Sequence, residues 1–374
     1  MRFTIFPSRK NSPANSTSVK TYREAAELPK LKTSWEEMEL FPTAGYDYFH
    51  TLIECRDHAI RPHVIALNRG DRITALAIGR IERIEKQTDI KGLLKFKSTI
   101  RSILFDIGCF AGDFSESNSR LIVSELLASL KKGEADMAIF SEVPISSALY
   151  ACARRIPAFC FRDFFPRIQG HYRMTLPDTP EQFYKAHKKA KNLRRIGNRL
   201  ARDFEGRVRI QCFRDEADVE RFCTDADLIL RHASRYTPGM GFTERPEQGP
   251  LLKTLAAKGQ MLAFVLYLDE APAAFEGGVV HDQAYFADYC GYDQRFRKYE
   301  IGSYLEIKVI EHLCRQEGFG YYDFGWMDTF HKNRYCDILT REANFEIYAP
   351  SFKGLLLNTK KTLYHLIGPQ IGTL

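Results

Sequence analysis

Apolar residues recur with the period of an α-helix through the segment 303–318. The stripe is formed by Leu305, Val309 and Leu313, at the four-residue spacing that places side chains on one face of a helix. The flanking segments 283–292 and 321–325 are rich in tyrosine and phenylalanine, which is typical of strands. The pattern therefore predicts a strand, a polar loop, a helix and a second strand, which together make one β-α-β unit.

The rest of the chain divides into two stretches with the same order of elements. In the first stretch, the pattern predicts helices at 46–58, 117–130 and 145–155, and strands at 63–67, 73–81, 98–106 and 136–140. In the second stretch, it predicts strands at 172–176, 207–213, 260–268, 271–280 and 345–348, and helices at 183–204, 215–236, 250–258 and 352–366. The shared order predicts a duplicated α+β fold, with α/β layering and mixed, mostly antiparallel sheets flanked by helices.

We expect three parts along the sequence. Residues 1–34 are polar and are predicted to be largely a loose N-terminal arm. Residues 35–168 and 169–374 are then predicted to be an N-terminal and a C-terminal domain, each of ordinary domain size.

Composition supports globular folding throughout the 374 residues. The chain is 44% hydrophobic and 13% aromatic, which excludes a disordered protein. Its nine cysteines include no Cys-x-x-Cys pair, and no apolar run approaches the about 20 residues that a membrane-spanning helix needs. The N-terminus has no apolar core typical of a signal peptide. These features predict a cytoplasmic protein with reduced thiols.

The net charge of +7 favours anionic ligands or surfaces. Cations concentrate just before the predicted helix at 303–318, at Arg295, Arg297 and Lys298. Gly302 allows close approach of a ligand to the backbone, and Ser303 is a suitable helix cap. Because the first N–H groups of a helix are unpaired, this corner suits a ligand with several phosphates. The alternative is an ordinary strand-to-helix connection with solvated charges.

A second basic region, the tract 183–204, carries eight cations and one acid. Its cations are Lys185, Lys188, Lys189, Lys191, Arg194, Arg195, Arg199 and Arg202. A partial apolar stripe predicts one amphipathic helix with a solvated basic face. The alternatives are contact with an acidic glycan, a membrane surface or tRNA, although few aromatic residues for base stacking lie between the charges. The predicted helix 352–366 either packs on the second core or lies on a membrane.

The order of elements from residue 207 to 325 resembles the GNAT superfamily of acyl-CoA-dependent acyltransferases. The doubled arrangement resembles the FemAB-like group, and in particular the BioF2-like or CelD-type acetyltransferase domain. The residues that carry the resemblance are the basic tract from Lys188 to Arg195, Gly291-Tyr-Asp-Gln-Arg-Phe296, Gly302-Ser-Tyr-Leu305, and Tyr322-Asp-Phe-Gly325 followed by Phe330-His-Lys332.

The resemblance implies a tandem GNAT-like fold and transfer of an acetyl or acyl group from acyl-CoA. The acceptor would be an amine or hydroxyl of a sugar, a nucleotide-sugar or a cell-envelope or exopolysaccharide precursor. One alternative is a FemAB-type transferase that takes its amino acid from aminoacyl-tRNA. The other is a non-catalytic GNAT fold that serves as a binding module, because the loop before Gly302 has fewer glycines than the family pattern.

The resemblance also directs attention to specific side chains for the chemistry. Asp288 and Tyr289 lie on the strand before the loop and are candidates for general base and for proton donor to the leaving thiolate. Glu276, on the preceding strand, is an alternative base, and Lys332 is a candidate contact to the acceptor or the thioester carbonyl. Arg295, Arg297, Lys298, Gly302 and Ser303 are the candidate acyl-CoA contacts.

No metal is expected, because the histidines have no other ligand at metal-binding spacing. No Cys-His or Ser-His pattern predicts a covalent acyl-enzyme. The expected partners are a small-molecule or glycan-precursor acceptor and, in the alternative hypothesis, tRNA. We expect a cytoplasmic location, with contact to the inner membrane face as a further expectation.

Overall fold

The computed structural model of the protein describes residues 17–38, 40–56, 58–90, 94–187, 192–234, 237–326 and 335–367. Its strands are β1 (Thr17–Tyr22), β2 (Ala59–Arg69), β3 (Arg72–Ile90), β4 (Leu94–Phe105), β5 (Phe110–Gly112), β6 (Met137–Pro144), β7 (Arg167–Thr175), β8 (Val208–Phe213), β9 (Met261–Leu268), β10 (Ala271–His281), β11 (Ala284–Tyr292), β12 (Tyr321–Trp326) and β13 (Ile338–Tyr348).

Helices cover both faces of the sheet that these strands form. They are α1 (Lys32–Glu36), α2 (Tyr46–Cys55), α3 (Glu116–Lys131), α4 (Ala148–Arg155), α5 (Pro180–Ala186), α6 (Asn192–Asp203), α7 (Glu216–Leu230), α8 (Gln248–Ala257), α9 (Ile301–Leu313) and α10 (Phe352–Ile367). Short 3-10 helices occur at Ala25–Leu31, Pro42–Ala44, Phe159–Phe161 and Gln294–Tyr299.

The strands form one continuous sheet in the order β1-β2-β3-β4-β6-β13-β7-β12-β11-β10-β9-β8, with β5 paired to β3. Two neighbouring pairs are parallel, β4 with β6 and β11 with β12. Each parallel pair is connected through one long helix, α3 in the first half and α9 in the second. The other strand pairs in the described chain are antiparallel, which confirms the predicted mixed, mostly antiparallel sheet. The repeated strand-helix-strand unit confirms the predicted tandem α+β fold.

Strand β13 joins the two halves of the sheet. It pairs with β6 on one side and with β7 on the other, both antiparallel. Its residues Ala343, Phe345 and Ile347 belong to the core of the first half. The domain boundary between 168 and 169 stays a prediction, but a strand from beyond it completes the first core.

The N-terminal segment differs from the predicted loose arm from Thr17 onward. Strand β1 pairs with β2 from Thr17 to Tyr22, and Leu28 and Leu31 are buried in the first core. The polar sequence did not predict this strand, because its side chains are alternately half-buried and exposed along most of its length. The residues before Thr17 lie outside the described part.

The helical stripe predicted from Leu305 to Leu313 is buried on α9. The helix begins at Ile301 and ends at Leu313, so it is shorter at its C-terminal end than predicted. Glu300, in the left-handed conformation, occupies the N-cap position, and its side chain makes no capping hydrogen bond. Ser303 therefore lies within the first turn, and its predicted role as the cap is wrong.

The basic tract forms more than the single predicted helix. Helix α5 ends at Ala186 because His187 leaves the helical conformation, and α6 runs from Asn192 to Asp203. Residues 188–191 lie outside the described part, and with them three of the tract's lysines. The buried Leu200 fixes one face of α6 against the second core.

Helix α10 packs on the first half of the molecule, and the predicted contact with the second core is wrong. Lys353 pairs with Asp136 at 2.7 Å, and Asn358 donates to two backbone carbonyls near the Phe159–Phe161 turn. The outer face of α10 exposes large apolar side chains, among them Phe352, Leu355, Leu356, Leu363 and Leu366. In the described part of the chain, no helix combines the length and apolar character needed to cross a membrane.

Gly278 allows β10 and β11 to approach closely beside a bulge. A methyl group at this position would lie 2.1 Å from the carbonyl oxygen of Phe286. Gly278→Ala is therefore expected to reduce the free energy of unfolding by about 1–3 kcal/mol, as measured by urea denaturation. Gly249→Ala in α8 is the control, because no atom beyond its chain neighbours and the backbone of its own helix lies within 4 Å of the added methyl group. Equal stability of the two variants would contradict the close approach.

Candidate active site

The parallel strands β11 and β12 separate soon after they begin. Their pairing runs from Ala284 opposite Tyr321 only as far as Phe286 opposite Asp323. From Ala287 onward, β11 keeps its pairing with β10, while β12 continues beside β7. Within the described residues, a gap therefore opens between β11 and β12.

A β-bulge at Asp288 lies at the start of this gap. Gly277 pairs with Tyr289 and Gly278 with Ala287, so Asp288 is the extra residue of β11. Bulges reorient side chains and are common beside active sites. Asp288 is exposed to solvent, yet burial by surrounding protein raises the pKa of its carboxyl, with Tyr289 and Arg245 acting in the opposite direction. Solvent access together with a crowded surrounding is typical of a residue in a cleft.

Titratable side chains line five neighbouring strands at this part of the sheet. They are Glu142 on β6, Glu342 on β13, His171 on β7, Asp323 on β12 and Asp288 on β11. His171 hydrogen-bonds to Glu342 and Asp323 and lies near Glu142. The charge of Asp288 in turn acts on the pKa of Glu142. The fold thus brings together residues that are up to 200 positions apart in the sequence.

His171 is held between two carboxylates. Its Nε2 lies 2.8 Å from Asp323 Oδ1, and its Nδ1 lies 2.9 Å from Glu342 Oε2. Although burial disfavours a charged ring, these hydrogen bonds raise the pKa of His171 to about 10. At neutral pH the ring is therefore an imidazolium that donates from both nitrogens.

Asp323 is fully buried and anchors this arrangement. Besides His171, it accepts hydrogen bonds from Arg173 Nε at 3.1 Å and from the backbone N–H of Gly325 at 2.7 Å. A bulge between Asp323 and Gly325 places these groups within reach of one carboxylate. The position of Asp323 favours a structural role, as an interior partner for two cations.

Glu142 lies on a bulge of its own. On β13, Ala343 pairs with Val143 and Phe345 with Phe140, so two residues of β6 oppose Asn344. The side-chain oxygen of Asn344 accepts the Glu142 backbone N–H at 2.6 Å. Burial, followed by the charge of Glu342, raises the pKa of Glu142 to about 7. The carboxyl therefore titrates near neutral pH.

Three side chains of this group lie at the spacing of metal ligands. Donor atoms of Glu142, His171 and Glu342 lie within 4.8 Å of one another, which is a spacing that a cation can span. Both ring nitrogens of His171 already donate hydrogen bonds to carboxylates, so the ring offers no lone pair to a metal.

Tyr289 interacts with Asp288 and also with the helices that cover this part of the sheet. Its hydroxyl accepts a hydrogen bond from Gln248 Nε2 at 3.1 Å, and its ring packs edge-on against Phe242. Burial raises the pKa of Tyr289 well above the usual tyrosine range. This environment keeps the phenol protonated.

Glu276 lies inside the protein on the α9 side of the sheet. It is 4% exposed, and its carboxyl accepts a hydrogen bond from the Tyr322 hydroxyl at 2.7 Å. Burial raises the pKa of Glu276 to about 8. Tyr322 and Asp323 are consecutive residues of β12, so their side chains lie on opposite faces of the sheet. Glu276 bonds to Tyr322 and His171 bonds to Asp323, so Glu276 and His171 also lie on opposite faces. The structure therefore separates Glu276 from Asp288.

The predicted anion-binding corner lies at the Gln294–Tyr299 turn and the start of α9. Arg295 is engaged in an ion pair with the buried Asp293, whose carboxylate accepts from Arg295 Nε at 2.9 Å. Although burial of Asp293 acts in the opposite direction, the hydrogen bonds from Arg295 lower the pKa of Asp293. The charge of Arg295 is thus largely compensated within the protein.

Arg297 and Lys298 remain exposed on the same turn. Lys298 Nζ lies 4.9 Å from the centre of the Tyr299 ring, and Arg199 of α6 lies 4.7 Å from the same ring. Arg199 is therefore a cation of this corner that sequence reasoning did not assign to it. The basic helix α6 contributes to the corner through this contact.

Gly302 and Ser303 are half-buried in the first turn of α9. A methyl group at Gly302 would lie 3.2 Å from the Tyr292 ring, so the ring of the last β11 residue packs beside the helix start. Lys332 and His331 lie outside the described residues.

A separate cavity of about 440 Å³ lies beside α9, between α5 and α6. Its charged lining residues are Glu181, Lys308, Glu311 and Arg315. Lys308 and Arg315 both pair with Glu311, at 3.0 and 3.5 Å. The pocket therefore has compensated charge, and it contains none of the predicted site residues.

Sequence reasoning missed the part of the site that comes from the first half. Glu142, His171 and Glu342 belong to no local motif, because each is an isolated residue on a different strand. Tyr48 of α2 also lies close enough to Asp288 for that carboxylate to raise its pKa further, after the larger effect of burial.

Residues 187–333 match the family described as the acetyltransferase (GNAT) domain. No curated protein sequence is significantly similar to the chain. Among solved structures, FemX is 9% identical, with 91% of this chain and 98% of that chain covered and a TM-score of 0.57. L-PGS from Bacillus licheniformis is 15% identical, with 93% and 99% covered and a TM-score of 0.50.

A third solved structure covers nearly the same length. It is the DUF2156 domain of a candidate lysylphosphatidylglycerol synthetase from Agrobacterium fabrum, 14% identical, with 91% and 98% covered and a TM-score of 0.50. At these identities the likeness concerns the fold. Residues 187–333 of the chain therefore match the GNAT acetyltransferase domain, and the fold as a whole is similar to that of FemX.

Proposed function

We propose that the protein moves an acetyl or longer acyl group from acyl-CoA to an amine or hydroxyl. The acceptor would be a sugar, a nucleotide-sugar or another precursor of the cell envelope or of an exopolysaccharide. The observation that carries the proposal is the gap between β11 and β12 with Asp288 at its start, inside the GNAT domain.

The gap suits the amide-containing arm of coenzyme A. Backbone N–H and C=O groups of β11 beyond Phe286 face this gap and can hydrogen-bond the amides of the arm. The diphosphate would lie at the corner formed by Arg297, Lys298 and the first N–H groups of α9. The reacting thioester would then lie near Asp288. Alignment of donor and acceptor supplies much of the catalysis in such transfers.

Binding of the donor is tested by thermal shift. Acetyl-CoA at about a hundred times its dissociation constant should stabilise the native protein by about 2.7 kcal/mol. Release of free thiol in the presence of candidate acceptors then measures the transfer. Absence of a shift with acetyl-CoA and with longer acyl-CoAs would overturn the donor assignment.

The cations of the corner should differ in their effect on acyl-CoA affinity. Arg297→Ala and Lys298→Ala should each weaken binding roughly two- to fivefold at low salt, because each removes an exposed charge near the phosphates. Arg295→Ala is the matched control, since Asp293 already compensates its charge. Isothermal titration calorimetry gives the three dissociation constants. A larger loss in Arg295→Ala than in the other two would place the phosphates elsewhere.

The exposed cations of α6 favour a second candidate, a FemAB-type transfer from aminoacyl-tRNA. Arg195 is exposed on this helix, whereas Arg202 pairs with Asp203 at 2.8 Å. This candidate requires tRNA binding that weakens steeply with salt and depends on residues 188–202. A filter-binding assay over a salt series decides between the two donors.

We place the protein in the cytoplasm, with the apolar face of α10 as a surface for the inner side of the membrane.

A further inference from the structure

Helix α9 carries a second stripe of side chains besides the buried one. Its members recur at spacings of three and four residues and are Tyr304, Lys308, Glu311 and Arg315. Residues at these spacings share one face of a helix. This face is turned toward α5 and α6, because all four residues line the cavity between those helices and α9. The stripe therefore builds one wall of the cavity.

Glu311 holds the polar groups of this wall in place. Its side chain is 8% exposed, and it accepts hydrogen bonds from the Tyr184 hydroxyl of α5 and from Lys308 Nζ at 3.0 Å. Although burial acts in the opposite direction, these hydrogen bonds lower the pKa of Glu311, so its carboxyl is ionised at neutral pH. The wall is thus arranged before any ligand enters, which reduces the entropy that binding costs.

Several polar groups of the cavity keep their capacity for hydrogen bonds. Within the described residues, the Arg315 guanidinium makes an ion pair with Glu311 at 3.5 Å and no hydrogen bond, and its side chain is 60% exposed. Asn198 of α6 and Glu181 of α5 also line the cavity and are exposed. Arg315 offers donors, Glu181 offers acceptors, and the amide of Asn198 offers both.

Tyr304 supplies apolar surface beside these polar groups. Its ring is half-buried, and a methyl group at Gly197 of α6 would lie 3.3 Å from it. Glycine inside a helix is less stable than alanine. The residue at position 197 therefore keeps space beside the ring at the expense of helix stability.

The charges that line the cavity cancel. Two cations and two carboxylates face it, namely Lys308, Arg315, Glu311 and Glu181. An anionic ligand would compete with the buried Glu311 for its cations, and the same carboxylate pairs would have to be broken for a cationic one. A neutral ligand with several hydroxyl groups avoids this competition, because each hydroxyl both donates and accepts. The volume of about 440 Å³ is within the roughly 300–1,000 Å³ of small-molecule sites.

We propose that this cavity is a second ligand site, which binds a neutral hexopyranose unit of a glycan. Ring hydroxyls bond to Arg315, Asn198 and Glu181, and the apolar C–H face of the sugar packs on Tyr304. The site does not depend on acyl transfer, since it contains neither Asp288 nor the anion-binding corner. The protein would thereby hold a glycan at a point other than the reaction site.

Saturation-transfer NMR on the whole protein without acetyl-CoA tests the site. The probes are cellobiose, maltose, lactose, mannobiose and N,N′-diacetylchitobiose, with galacturonic acid and glycine as charged comparisons. We expect transfer to at least one neutral disaccharide and none to the charged compounds. No transfer to any disaccharide, or transfer to the charged compounds alone, would overturn the proposal.

Arg315→Met and Asn198→Ala should each weaken binding of that disaccharide roughly three- to tenfold, as expected for the loss of one hydrogen bond. Arg120→Met in α3 is the matched control. Arg120 is 62% exposed and pairs with Glu116 at 3.4 Å over the same four-residue spacing, but it does not line the cavity. Titration calorimetry gives the dissociation constants. Equal affinities in the two cavity variants and the control would place the sugar elsewhere and overturn the proposal.

Acetyl-CoA distinguishes this cavity from the donor site. It should leave the bound disaccharide in place, and its thermal shift should be the same in Arg315→Met as in the wild type. Displacement of the disaccharide, together with a smaller shift in Arg315→Met, would assign the cavity to the donor and overturn the proposal alone. Absence of any shift with acetyl-CoA would overturn only the donor assignment, because the disaccharide experiment contains no acyl-CoA.

Discussion

Replacing Asp323 with alanine should lower the free energy of unfolding by about 3–5 kcal/mol, because it removes the buried partner of two cations. His171 would lose its Nε2 hydrogen bond, and Arg173 would lose its bond to the same carboxylate. The backbone N–H of Gly325 would also lose its acceptor. Urea denaturation followed by circular dichroism measures the change.

The pH dependence of this effect has a defined sign. The pKa of His171 is raised from 6.5 to about 10, so its ion pairs contribute fully below about pH 6.5 and lose their contribution as pH rises through 10. Without Asp323, the pKa of His171 should fall, and the loss of stability between pH 6.5 and 10 should become smaller. Asp337→Ala is the control, because Asp337 is exposed and, within the described residues, accepts only the backbone N–H of Thr175. A similar loss in both variants would contradict the anchoring role of Asp323.

Replacing Glu276 with glutamine should stabilise the protein above neutral pH. The native carboxyl keeps its proton up to about pH 8, whereas an unfolded glutamate loses it near 4.5. Native stability should therefore fall by on the order of 4 kcal/mol as pH rises through this range. Glutamine carries no charge but retains an oxygen that can accept from Tyr322, so the variant should lack this fall.

Thermal melts from pH 5 to pH 9 measure the difference between Glu276→Gln and the wild type. The curves should coincide near pH 5 and diverge toward pH 9, with the variant more stable. Glu270→Gln, on the exposed turn between β9 and β10, should follow the wild type at every pH. Turnover gives a second readout, since a general base at Glu276 would require a rate loss of about 100-fold or more in the variant. Destabilisation at pH 9 would show that the ionised carboxyl is needed.

The sequence predicted the repeated elements well because periodicity reports burial. The stripe at Leu305, Val309 and Leu313 is buried as expected, and Asp215 caps α7 through a capping box with Asp218. Local chemistry of this kind is encoded within a few residues. The β-α-β unit from β11 to β12 was therefore recognisable, and with it the GNAT resemblance.

The site was predicted only where neighbours in sequence form it. Asp288 lies on the expected strand, but its bulge depends on Gly278 of β10 and is not visible in the sequence of β11. The compensation of Arg295 by Asp293 depends on a turn conformation. Glu142 and His171 approach each other only because β13 lies between their strands. Such long-range pairing leaves no periodic signal.

The position of β13 has a consequence for biosynthesis. During translation, β6 and β7 emerge from the ribosome roughly 170 or more residues before their common neighbour, and pairing over such distances is slow. Until residue 348 has emerged, both strands present open edges, which are sites of intermolecular aggregation. Nascent chains that stall before that point should accumulate as chaperone substrates, and a bulky fusion at the C-terminus should lower the yield of soluble protein more than one at the N-terminus.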